Sequence, residues 1–228
     1  MCVHHTTQKQ PATGPVRRKV YYVDMDERTK TIATWLGSGS INLFGRPFAG
    51  KDTQGKKLAE LLGAPLIGGG DILRSHNEPK EIEAILSSGG VVPHDFYLKL
   101  VLPYLSQEQF NGKPLVLDAV GRSSGEEQTI ISATAGSGHP LKAVVVLQLS
   151  EEEVWKRFDA AAIEGDRGAR SDDNKDVLKT RLQTYRDETM PVIEVYRGMG
   201  ILIEVEGTAS REEVNEKVID ALVAFAKK

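Results

Sequence analysis

Ile41-Asn42-Leu43-Phe44-Gly45-Arg46-Pro47-Phe48-Ala49-Gly50-Lys51-Asp52-Thr53 decides the fold. A short apolar run ends at a glycine, a loop follows, and Gly50-Lys51 opens a helical pattern. Strand, glycine-bearing loop, lysine and helix in that order make a phosphate-binding loop. Glycines let the backbone turn tightly and aim several N–H groups into one concavity. The helix start adds free donors and partial positive charge. The general pattern places Ser or Thr directly after the lysine to meet Mg²⁺; here Asp52 intervenes and Thr53 stands one place later.

Working outward, the periodicity predicts a short strand at each of Ile41–Phe44, Pro65–Ile67, Pro114–Asp118, Ala143–Leu149 and Ile201–Val205. Between them lie helical patterns at 50–62, 96–105, 126–135, 151–163, 174–197 (interrupted at Pro191) and 212–225. The third and fourth strands are apolar throughout, which predicts a sheet covered on both faces. Strands alternating with helices of this length give an α/β architecture: five parallel strands with helices on both faces. Ahead of the sheet, Asp24 is the expected cap of a helix carrying Ile32, Trp35 and Leu36. Residues 1–40 are expected to be a flexible tail plus this docked helix, and 41–228 the main domain.

A chain of 228 residues suits one domain with a full core. A net charge of −3 argues against a partner held by nucleic-acid electrostatics. The single cysteine, Cys2, excludes an internal disulfide and fits a reducing cytoplasm. No apolar run has the length of a membrane span and no apolar export signal stands at the start, so no membrane partner is expected. His76, His94 and His139 have no metal-ligand spacing and are expected at the surface. Trp155 is expected to pack rather than to stack on a ligand.

In a parallel sheet, ligands sit beyond the carboxyl ends of the strands. There the sequence places the Gly45–Thr53 loop, then Gly69, Asp71 and Arg74, then Asp118 and Arg122, then Arg167, Arg170, Asp172, Asp173 and Arg181. One lysine and four or five arginines on one rim are more than a single phosphate needs. Such a crowd predicts a site holding several phosphates and neutralising charge during transfer.

The motifs Gly45-x-Pro47-x-x-Gly50-Lys51-x-Thr53-Gln54, Gly70-Asp71-x-Leu73-Arg74, Val91-Val92-Pro93, Leu117-Asp118-x-x-x-Arg122, Arg170-x-Asp172-Asp173-Asn174, Arg181-Leu182-x-Thr184-Tyr185 and Pro191-x-Ile193-x-x-Tyr196 resemble the adenylate kinase family of nucleoside monophosphate kinases. The resemblance runs from about Ile41 to the end and implies the short-lid type, with an acceptor-binding flap at 77–92 and a lid at 164–172. It implies a cytoplasmic monomer using ATP as co-substrate and Mg²⁺ as cofactor, with nucleotides as its partners. ATP would be held by Gly45, Arg46, Pro47, Phe48, Ala49, Gly50, Lys51, Asp52 and Thr53. Arg157 would stack on its adenine, with Arg167 the alternative. Gly69, Arg74, Val92 and Arg122 would hold the acceptor. Arg170 and Arg181 would bridge the two nucleotides, so that Lys51, Arg122, Arg170 and Arg181 form the catalytic set. Asp118 would hold Mg²⁺ through water, with Asp172 and Asp173 by the lid. Either of those two acids could instead cap the following helix, and Arg181 could pair with Asp187 or Glu188.

The departures from the family pattern are specific. Phe48 and Asp52 stand where the family has loop glycines, and Asp52 is expected to turn away from the phosphates. Gly68-Gly69 replaces Ser-Thr, which removes a hydroxyl from the acceptor side. Ser123, Ser124 and Gly125 stand near the place of the base-reading glutamine, and Gln128 could reach in from another angle. The expected reaction is ATP + AMP = 2 ADP. The alternatives are a UMP, CMP or other small-acceptor kinase, or a catalytically weakened nucleotide sensor.

Overall fold

A computed structural model of the chain describes residues 26–69, 73, 84, 85, 88, 92–164 and 174–228. In order, the elements are α1 (Glu27–Leu36), β1 (Ser40–Gly45), α2 (Lys51–Leu62), β2 (Leu66–Gly68), α3 (His94–Leu105), a 3₁₀ turn (Glu108–Phe110), β3 (Leu115–Asp118), α4 (Glu127–Gly136), β4 (Leu141–Gln148), α5 (Glu151–Glu164), α6 (Lys175–Thr184), a π-helical turn (Tyr185–Thr189), α7 (Met190–Gly198), β5 (Leu202–Glu206) and α8 (Arg211–Ala226). The strands form one sheet in the order β2-β3-β1-β4-β5, and every pairing is parallel. All five strands fall where the apolar runs predict them.

Both faces are covered, for the reason the continuous apolar runs gave. Successive residues of β1 serve opposite sides. Ile41 and Leu43 join a core with Ile32, Leu36, Leu58, Val145 and Leu222. Phe44 joins Val146, Val192 and Tyr196 on the other face. Beside that second core, Leu115, Leu117 and Ile130 pack with Tyr97. The helices after β1 and β3 therefore lie on opposite faces: Leu58 of α2 enters the first core and Ile130 of α4 the core beside Tyr97. β1 and β3 are neighbours whose outgoing chains part, which opens a crevice at their carboxyl ends.

Three local expectations need correction. The cap of α1 is Asp26, whose side chain accepts the Thr29 N–H at 2.7 Å. It stands directly before the first helical residue, as an N-cap must; Asp24 lies outside the described residues. α6 is capped by Asn174, which accepts from the N–H groups of Asp176 and Val177; Asp172 and Asp173 lie outside the described residues. His139 is not at the surface. It is 1 % exposed, with Nδ1 2.9 Å from Ser38 O and 3.0 Å from Lys113 O. Its ring ties the turn before β4 to the entries of β1 and β3.

The long helical pattern at 174–197 is broken just ahead of Pro191. The N–H of Met190 bonds Tyr185 O, five residues back, in a widened turn. Proline lacks an N–H and crowds the carbonyl four residues earlier, and a π turn there relieves both problems. Pro191 then starts α7. Trp155 packs on the first core, its ring 5.9 Å from that of Phe158.

Candidate active site

The loop between β1 and α2 is built by close approach. A side chain at Gly45 would put its Cβ 2.8 Å from Leu147 O of the neighbouring strand, so only glycine lets β1 run on to the loop beside β4. Gly50 is left-handed, φ 92°, at the start of α2. That conformation is the one glycine adopts freely. The Lys51 ammonium donates to Gly45 O at 3.0 Å and Arg46 O at 3.3 Å, folding back over the loop. Asp52 is exposed, and its carboxylate accepts from Lys56 one helical turn on, at 2.9 Å.

Phe48 occupies the position where a loop glycine is expected, and it keeps the glycine-like backbone, φ 63°. Its ring is buried edge-on against Phe158 at 5.6 Å. The loop is held from outside as well. Arg157 of α5 donates to Phe48 O at 3.2 Å and to Gly207 O, after β5, at 2.6 Å. Arg46 donates to Leu149 O at 2.8 Å and lies over the Tyr185 ring, 5.2 Å from its centre. Burial pushes the Tyr185 phenol above its ordinary pKa, while the Arg46 cation opposes that shift.

The turn after β3 lies beside this loop. Leu43 of β1 is opposite Asp118 of β3, and the Ala119 N–H donates to Leu43 O at 2.9 Å. Asn42, wholly buried in β1, clamps the same turn with both ends of its amide. Its Nδ2 donates to Val120 O at 2.7 Å and its Oδ1 accepts from the Val120 N–H at 3.3 Å. Ala119 is left-handed, φ 52°. Asp118 and Arg122, both half-buried, bracket this turn. The next turn is closed by the buried Glu126, which accepts the Ser123 N–H at 3.1 Å.

The segment carrying Arg181 is fixed to both loops. Tyr185 supports Arg46, and Glu188 accepts the Ser124 N–H at 3.3 Å, two residues past Arg122. Asp187 accepts from Gln183. Beyond β4 and β5, Arg46, Gln148, Leu149, Ser150, Glu206 and Thr208 line an open cavity of about 610 Å³.

Thus the fold gathers the Gly45–Thr53 loop, Asp118, Arg122 and the helix bearing Arg181 at the crevice between β1 and β3. Arg157 lies under the loop, bonded to two carbonyls. Gly69 follows β2, and Val92 is buried in the core around Tyr97. Arg74, Arg167 and Arg170 lie outside the described residues. The sequence assigns no role to Asn42 or Tyr97, and only Asn42 leaves a signal there, as an amide inside an apolar central strand. Tyr185 stands in the Arg181–Tyr185 motif without a stated role, and Glu188, expected as a partner of Arg181, is found holding the Ser124 N–H.

A five-stranded parallel sheet with this loop at its switch point defines a P-loop nucleotide-binding protein. A family model described as adenylate kinase matches residues 43–201, well over half of the chain. An adenylate kinase of Parvibaculum lavamentivorans is 33 % identical over 192 residues, covering 82 % of this chain and 92 % of that protein. One from Thermus thermophilus is 31 % identical, covering 80 % and 96 %. One from Xylella fastidiosa is 33 % identical, covering 79 % and 97 %. The chain belongs to the adenylate kinase family.

Proposed function

We propose that the protein transfers the γ-phosphoryl group of ATP to AMP, giving two ADP. The observation that carries this is the double tie between β1 and the turn after β3. Asn42 and Leu43 hold Val120 and Ala119, so the loop bearing Lys51 and the turn bearing Asp118 and Arg122 face one crevice.

The chemistry follows from charge. Phosphoryl transfer needs alignment and neutralisation more than covalent help. Lys51 leaves Gly45 O and Arg46 O to take the outer phosphates of ATP, and the loop N–H groups cradle them. The adenosine end fits the cavity beside Arg46, Gln148 and Thr208, next to Arg157. Arg122, with Arg74, grips the acceptor phosphate. Arg170 and Arg181 span the junction as charge moves from one nucleotide to the other.

Asp118 and Thr53 suit Mg²⁺: both offer hard oxygen, one at the strand end beside the loop and one in the first turn of α2. Mg²⁺ needs only one or two protein ligands when phosphates and water complete its shell. When bound there it neutralises phosphate charge. Segments 77–92 and 164–172 are assigned, on the family resemblance, to cover the acceptor and the donor and exclude water. The family resemblance supports a cytoplasmic monomer. Among the described residues no helix is long and apolar enough to cross a membrane.

The test is ADP formation by a coupled assay with AMP, UMP, CMP and GMP as acceptors. AMP is expected to give the highest kcat/KM. Lys51→Met and Arg122→Ala are each expected to abolish transfer while circular dichroism is unchanged. Full activity in either variant would reject its role, and a better acceptor than AMP would reject the assignment of the base.

A further inference from the structure

Tyr97, on α3, reaches across to both loops of the acceptor side. Its ring is 6 % exposed and is locked among Ile67, Leu117 and Val120. Its hydroxyl accepts the N–H of Gly121 at 3.0 Å, in the turn that ends at Arg122. The same oxygen fills the space over Gly69. A Cβ built on Gly69 would lie 2.7 Å from Tyr97 Oη and 3.5 Å from Cε2. Real Cβ atoms do not come so close to an oxygen, so a side chain at residue 69 would force the hydroxyl to shift. Burial pushes the phenol well above its ordinary pKa, so the oxygen stays a neutral hydroxyl at physiological pH.

We infer that Tyr97 is a positioning residue for the acceptor monophosphate: its hydroxyl fixes the Gly121–Arg122 turn against the end of β2, and Gly69 is glycine because that hydroxyl stands where its side chain would be. This rests on the proposed kinase function and deepens it. The hydroxyl absent from residue 69 is supplied to the same corner from α3. Because Tyr97 acts through the backbone ahead of Arg122, it governs the acceptor side and leaves the ATP loop to its own supports, Arg157 and Arg46.

Tyr97→Phe keeps the ring and removes only the oxygen. The buried Gly121 N–H is then left without its partner, and an orphaned donor of that kind corresponds to roughly a five- to 150-fold loss. The KM for AMP is expected to rise about tenfold, with the KM for ATP unchanged within about twofold. Gly69→Ala pushes the hydroxyl off Gly121 and is expected to act in the same sense. The two changes break one bond, so the double variant should match the worse single variant rather than multiply the two effects. AMP affinity by calorimetry, without ATP, is the second readout and does not require turnover.

An active wild type whose Tyr97→Phe variant keeps its KM and affinity for AMP would overturn this role and leave the kinase function standing. So would an equal rise in both KM values, or a multiplicative double variant. A wild type that transfers nothing, but whose AMP affinity drops about tenfold on Tyr97→Phe, would reject the kinase function and retain the positioning role. A wild type that neither transfers to AMP nor binds it would overturn both.

Discussion

Phe48 offers a prediction whose sign is set by the backbone. Phe48→Ala and Phe48→Gly both delete a ring that is 8 % exposed and edge-packed on Phe158. Emptying such a site costs about 3–5 kcal/mol. At a residue with φ 63°, however, alanine keeps a second penalty and glycine does not. A Cβ in left-handed backbone costs roughly 1–2 kcal/mol. Glycine gives back about 0.5–1 kcal/mol of that through the greater freedom of its unfolded chain. The balance leaves Phe48→Gly more stable than Phe48→Ala by roughly 0.5–1 kcal/mol, the reverse of the order in ordinary helix or strand. Urea unfolding followed by tryptophan fluorescence measures it, since Trp155 abuts Phe158. An alanine variant as stable as the glycine variant, or more so, would refute the argument that this loop keeps a glycine conformation under a phenylalanine.

Asn42→Ala leaves both the N–H and the C=O of Val120 without their partner, and is expected to cost about 2–4 kcal/mol in urea unfolding and to lower kcat/KM for AMP; an unchanged midpoint would refute the clamp. Truncation at Ser38 removes Ile32 and Leu36, both fully buried, and is expected to cost about 3–6 kcal/mol, read as a lowered urea midpoint. Tyr97, Tyr185 and Tyr196 all have phenols raised by burial. A raised phenol contributes stability that is complete below the unfolded value, about 10, and is lost as pH climbs through the folded value; urea midpoints are therefore expected to hold at pH 8 and fall above about 10. Tyr196→Phe removes a hydroxyl that is buried without a hydrogen-bond partner among the described residues, so it should leave stability at pH 7 equal or higher and flatten the alkaline loss. A steeper loss in that variant would contradict this.

The sheet was legible in the sequence because a strand buried on both faces leaves an unbroken apolar run, as in Leu115–Leu117 and Ala143–Leu147. The phosphate loop was legible because its strand, glycines and lysine are contiguous. Features assembled from distant residues were not. Nothing local distinguishes Asp24 from Asp26 as a cap until the first helical N–H groups are placed. His139 looks like a surface residue until carbonyls from two separate loops close on its ring. A glycine at 69 reads as a lost contact until Tyr97, from another helix, is found in its space. Phe48 reads as a violated glycine position because sequence reports the side chain and not the φ beneath it.

The earliest helix rests on the latest one. Arg28 of α1 bonds Glu216 and Asp220 of α8, and Trp35 meets Phe225 edge-on at 5.8 Å. During synthesis, then, α1 can meet β1 and α2 early, but the wall supplied by Leu222 and Phe225 comes only when the ribosome has made residues 211–226. A polypeptide stopped short of residue 211 would leave that side of α1 uncovered, a mark by which quality control could tell an unfinished product from a finished one.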